Sequence, residues 1–98
     1  MKPDVLIQVR FLTSAEGGRA AGIFGSRYGC PLFVDGQGFD CRFILKANTC
    51  LELGMTYDIK IKFLNPDLAL PHLEEGTPIS LWEGRTIATG QVISISIE

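Results

Sequence analysis

Between Tyr57 and Leu64 the chain reads Tyr-Asp-Ile-Lys-Ile-Lys-Phe-Leu, and this alternation constrains the fold more than any other feature. Successive side chains of a strand point to opposite faces. Tyr57, Ile59, Ile61 and Phe63 therefore fall on one side, and Asp58, Lys60, Lys62 and Leu64 on the other. The same period governs Asp4–Leu12, where Val5, Ile7, Val9 and Phe11 oppose Gln8 and Arg10. It recurs in Cys41–Ala47, with Cys41, Phe43, Leu45 and Ala47 opposed to Arg42, Ile44 and Lys46. Ile79–Glu83 and Thr86–Ile97 add two more strands around a tight turn at Gly84, and Gly90 marks a bulge or a close approach of backbones.

Turn signals separate these runs: Glu16-Gly17-Gly18, Gly25-Ser26, Asp35-Gly36-Gln37-Gly38, Leu53-Gly54, Asn65-Pro66-Asp67 and Glu74-Glu75-Gly76. No stretch of ten residues carries the helical period of about 3.6, so no long helix is expected. Short strands at this spacing predict an all-β chain, a sandwich or a barrel, in one domain over residues 1–98. Closure also removes sheet edges that invite aggregation. A barrel of that size is filled by its own side chains, so no internal cofactor is expected.

Bulk properties narrow the function. With 46% hydrophobic and 20% charged residues, the chain has the makings of one core. A net charge of −2 gives no global attraction to nucleic acid or anionic lipid. The three cysteines, Cys30, Cys41 and Cys50, form no C-x-x-C pair and predict reduced thiols, some in the core, rather than a disulfide framework or a zinc site. No apolar run approaches a membrane span, and no leader pattern precedes the first strand. The cytoplasm is the expected compartment, and Met1 just before that strand suggests a complete reading frame.

Three blocks carry a resemblance. "AEGGR" (Ala15–Arg19), Phe24 and "YGCPLF" (Tyr28–Phe33) resemble the opening hairpin of the C-terminal β-barrel, domain III, of the elongation factor Tu superfamily. "LGMTYDIKIKFLNPDLA" (Leu53–Ala69) is similar to its following strand, and "GTPISLWEGRTIATGQVI" (Gly76–Ile93) to its closing hairpin. The blocks occur in order over roughly residues 5 to 97, and the resemblance implies that barrel, single, closed, antiparallel and of about six strands, as a stand-alone protein. The glycines at Gly17-Gly18 and Gly84 suit hairpin turns with positive φ.

Catalysis finds little support in the residues. No Gly-Lys dipeptide occurs, so there is no phosphate-binding loop and no nucleotide is expected; "DGQG" (Asp35–Gly38) reads as a turn. His72 is the only histidine and lies in a proline-flanked loop, and Glu74-Glu75 reads as solvated. No catalytic, cofactor or metal residue is assigned, and a non-enzymatic role is expected.

Two binding surfaces emerge. Ile44, Leu64 and Trp82 fall on outward positions, and "DLALP" (Asp67–Pro71) adds Leu68 and Leu70 as an apolar loop, with Leu32 flanking the Cys30-Pro31 turn. A large apolar outer patch marks a protein partner or self-association, with Trp82 the natural anchor. The alternative is tRNA or another structured RNA, bound by Arg19, Arg27 and a face made of Arg42, Lys46, Lys60 and Lys62 if their two strands are neighbours. Within the resemblance, Gly17, Gly18 and Arg19 match the family turn that lies near tRNA. The chain has Ala20-Ala21-Gly22 and Gly29-Cys30 where the family carries polar and basic residues, which removes phosphate contacts.

Overall fold

The computed structural model describes residues 2–95. Its strands are β1 (Val5–Phe11), β2 (Ile23–Phe24), β3 (Gly29–Val34), β4 (Gln37–Ile44), β5 (Cys50–Leu51), β6 (Thr56–Phe63), β7 (Pro78–Trp82) and β8 (Thr86–Ile95). Six of them close into an antiparallel barrel in the order β1-β6-β4-β3-β7-β8, with β8 returning to β1. The short β2–β5 ribbon stands apart from the barrel ladder.

Alternation builds the interior directly. Val5, Ile7, Val9 and Phe11 of β1, and Ile59, Ile61 and Phe63 of β6, are all buried. Cys30, Leu32 and Val34 of β3, Cys41 and Phe43 of β4, and Ile79 and Leu81 of β7 join them. Ile23 and Leu51 of the ribbon extend the core at the end where β1 finishes and β6 begins. Ala69 and Leu73 extend it at the other. No buried polar side chain is left without a partner among the described residues.

Turns set the register. Val34 pairs with Gln37, so Asp35-Gly36 is a two-residue hairpin loop, and both residues take positive φ (52° and 73°), which suits the right-handed twist of the strands it joins. Gly90 marks a close approach: a Cβ there would lie 1.8 Å from the Gln8 carbonyl oxygen. The register shifts fall elsewhere, at Ile87, where Leu81 faces Ala88 but Trp82 faces Thr86, and at Ile93, between β1 and β8.

Several expectations change. The predicted strand Cys41–Ala47 begins earlier, at Gln37, and stops at Ile44, because a turn at Ala47-Asn48 puts Asn48 at φ 63°. Leu45 is half-buried and Ala47 exposed. Gly17-Gly18 is not a hairpin turn. Gly17 ends a 3-10 turn, Ser14–Glu16, that a Thr13/Glu16 capping box opens, while Gly18 is pressed against the Leu12 carbonyl, 2.6 Å from where its Cβ would be. Leu32 flanks no turn; it is fully buried in β3. The apolar loop Asp67–Pro71 instead coils into a helical turn, α1 (Pro66–Ala69), continued by a 3-10 turn, Leu70–His72. The predicted end of the last strand, Ser96 and Ile97, lies outside the described residues.

Candidate docking face

Following the ladders across the outer wall brings distant residues into one row. The Leu64 amide donates to the Asp40 carbonyl at 3.0 Å, and Asp40 pairs with Pro31. The β3–β7 register, Leu32 to Leu81 and Phe33 to Ser80, puts Pro31 level with Trp82 when continued by one step. Leu64, Asp40, Pro31 and Trp82 thus cross β6, β4, β3 and β7, and strand spacing gives the row a span of about 14 Å. Proline fits its place: Pro31 has no N–H to offer, and the ladder to β7 starts only at Leu32.

Trp82 is 41% exposed and Leu64 52%. The half-buried Phe33 ring lies 5.7 Å from the Trp82 ring at 46°, so two aromatic groups share the β3–β7 seam. A shallow depression of about 350 Å³ lies beside Leu64, with Gly29, Pro31, Asp40 and Arg42 among its lining. Pro31 and Phe33 were missed by sequence reasoning, although Cys30, Leu32 and Val34 alternate with them and carried the signal.

The other apolar candidates scatter. Ile44 is half-buried, next to Lys60 in register. Leu68 is 63% exposed on α1, but Leu70 packs against the core because the helical turn rotates it inward. Phe24 and Met55, also exposed, were not anticipated.

The cationic set is partly assembled. β4 and β6 are neighbours, and Arg42 sits directly opposite Lys62, with Lys60 two residues along its strand. Lys62 is paired to Asp4 at 3.2 Å, and the same carboxylate accepts from the Phe63 amide. Lys46 lies past the end of β4 and Arg27 before β3, both exposed. Arg19 has a structural task. Its Nη1 pairs with Glu83, its Nε donates to the Ala21 carbonyl at 3.0 Å, and its guanidinium lies 5.5 Å from the Tyr28 ring centroid. Tyr28 donates its hydroxyl to the same Glu83 carboxylate; burial, then that hydrogen bond, pushes its pKa up. The Glu83–Arg85 turn is therefore tied across the barrel to the Gly18–Ala21 segment.

Chemistry-bearing residues stay apart. His72 meets Asp35 at 3.4 Å and the Phe39 ring at 5.2 Å, not a cysteine. Among the described residues no group of three or more His, Cys, Asp or Glu side chains converges as a metal site, and no helix is long and apolar enough to cross a membrane. No protein-family model and no curated protein matches the chain.

Proposed function

We propose that this chain is a non-enzymatic, cytoplasmic protein-docking barrel, akin to the C-terminal barrel of elongation factor Tu, that binds a protein partner or a second copy of itself. The observation that carries this reading is the row from Leu64 through Pro31 to Trp82, with Phe33 beside the tryptophan. A tryptophan backed by a second aromatic ring, with proline beside it in register and a leucine at the far end of the row, has the aromatic composition of an interface centre. The six-stranded closed barrel is the architecture the resemblance calls for, and it supports that kinship.

A structured-RNA reading draws on the opposed Arg42 and Lys62 with Lys60 nearby. Two engaged cations count against it: Arg19 is held by Glu83 and Lys62 by Asp4. Salt and nuclease discriminate the two. The purified chain is used as bait in lysate and, separately, examined by sedimentation. A protein complex or homodimer that withstands nuclease and moderate salt, and disappears in Trp82→Ala, fits docking. Recovered RNA that salt removes, retained by Trp82→Ala and lost in Lys60→Glu/Lys62→Glu, overturns it.

A further inference from the structure

Cys30 and Cys41 stand directly opposite each other on β3 and β4, both buried and facing the barrel interior. The Phe43 amide donates to the Tyr28 carbonyl at 2.9 Å, and two residues along the ladder the cysteines occupy the same hydrogen-bonded class of pair. Directly opposed residues of that class have Cα atoms about 5.5 Å apart, inside the window of about 4.4–6.8 Å that a disulfide spans.

The thiols already interact. Cys41 Sγ lies 3.2 Å from the Cys30 carbonyl oxygen. Contact with Cys41 is the main influence drawing the Cys30 thiol below its ordinary pKa, and burial opposes it. The same contact with Cys30, then burial, pushes Cys41 up. Access comes from the β3–β7 seam, whose ladder leaves β3 unpaired on the β7 side before Leu32, beside Cys30. Cys30 lies on the strand at that open seam and Cys41 one strand farther in, so a peroxide entering there meets Cys30 first and Cys41 is placed to follow.

We propose that Cys30 and Cys41 are a cross-strand redox pair, closed to an intramolecular disulfide by hydroperoxide and reopened by a thiol reductant. The Cys30 thiolate attacks a peroxide oxygen, the O–O bond breaks, and the departing hydroxide takes up a proton to leave as water. The resulting sulfenic acid is attacked by Cys41, which gives up its proton; the S–O bond breaks and a second water leaves. Two thiols lose two electrons and two protons, and hydrogen peroxide becomes two waters. Cβ atoms of opposed residues lie about 4.5–5.5 Å apart, whereas a relaxed disulfide wants about 3.8 Å, so closure draws the strands together and yields a readily reduced bond. Cys50, exposed and away from this pair in the ladder, is not part of it.

The test uses the full chain and its Cys50→Ser variant. Each is exposed to hydrogen peroxide, quenched in acid, denatured, alkylated with N-ethylmaleimide and weighed intact. Cys50→Ser is expected to lose two hydrogens, take up no alkyl group and yield a linked Cys30–Cys41 peptide; dithiothreitol restores both alkylation sites. Retention of both alkylation sites, a link through Cys50 in the wild type, or conversion of Cys30 to sulfinic acid without a link overturns the proposal. Cys41→Val in the Cys50→Ser background keeps the volume and removes the resolving thiol, so no link should form and any oxidised Cys30 should be held as a dimedone adduct. If that variant does not fold, the Cys50→Ser measurement still decides.

Discussion

Two walls of one barrel are built to different ends. On β8 and β1 the outward positions carry Thr89, Gln91, Gln8 and Arg10, and the ladder between the strands runs from Val5 to Phe11. Across β6, β4, β3 and β7 the outer surface carries Leu64, Pro31, Phe33 and Trp82, and β3 meets β7 only at Leu32–Leu81 and Phe33–Ser80. The first wall puts its hydrogen bonding into closure and shows water mostly polar groups, the half-buried Leu6 being the exception on β1. The second shows large apolar groups where the ladder is shortest. On the docking reading proposed above, stability and recognition reside on different sides, and substitutions should separate them.

The largest effect is expected on the β8–β1 wall. Gly90→Val drives a side chain into the Gln8 carbonyl, whose oxygen would lie 1.8 Å from the new Cβ, and the two strands must part. A loss of about 3 kcal/mol or more is expected in urea unfolding, enough to unfold a marginal domain. An unchanged midpoint would mean that the strands pass farther apart than described.

Next comes the tie between the walls. Glu83→Ala removes the acceptor that Tyr28 and Arg19 share, leaving a half-buried hydroxyl and a guanidinium without their partner. Denaturant titration should show a loss of about 1–2 kcal/mol. A neutral result would return Arg19 to the list of free cations and strengthen the RNA reading.

The interior of β1 and β6 was legible in the sequence, and little of β8 or of the order of the outer row was. The interior positions of β1 and β6 follow from alternation alone, since neither strand carries a bulge within its buried run. The closing strand resisted because the extra residues at Ile87 and Ile93 shift its phase, leaving Ile87 and Ala88 both buried. The row through Leu64, Pro31 and Trp82 joins strands in a spatial order, β6-β4-β3-β7, that no local pattern records. The Arg19–Glu83 pair is of the same kind, spanning most of the chain. Outward Trp82 was legible because its strand alternates cleanly; Pro31 and Phe33 alternate as cleanly on β3, but that they adjoin Trp82 was not legible.

Smaller effects sharpen the contrast. Lys60→Glu with Lys62→Glu should shift the unfolding midpoint only slightly, about 1 kcal/mol or less, because the Lys62–Asp4 pair is partly solvated. Protein docking at Trp82 should persist in that variant, read by the same capture assay. The smallest effect concerns acid. The Thr13 amide, aided by Arg10, holds the Glu16 carboxyl below its usual pKa. A depressed carboxyl contributes stability above its unfolded pKa and loses it as pH falls through the folded value. Carbon-detected NMR titration should show Glu16 protonating at lower pH than in Thr13→Pro, which removes the amide donor; coincident curves would remove the capping box from the account.

The most direct measurement of the central claim sets the walls against each other in one binding experiment. Equilibrium affinity for the captured partner, or self-association where the partner is a second copy, is compared among the wild type, Trp82→Ala and Gln91→Ala. The account predicts that Trp82→Ala weakens binding by about 30-fold or more, the effect of losing a hot-spot residue worth about 2 kcal/mol, while Gln91→Ala binds as the wild type does. Wild-type affinity in Trp82→Ala, or a loss confined to Gln91→Ala, would place recognition away from the β3–β7 seam and contradict the account.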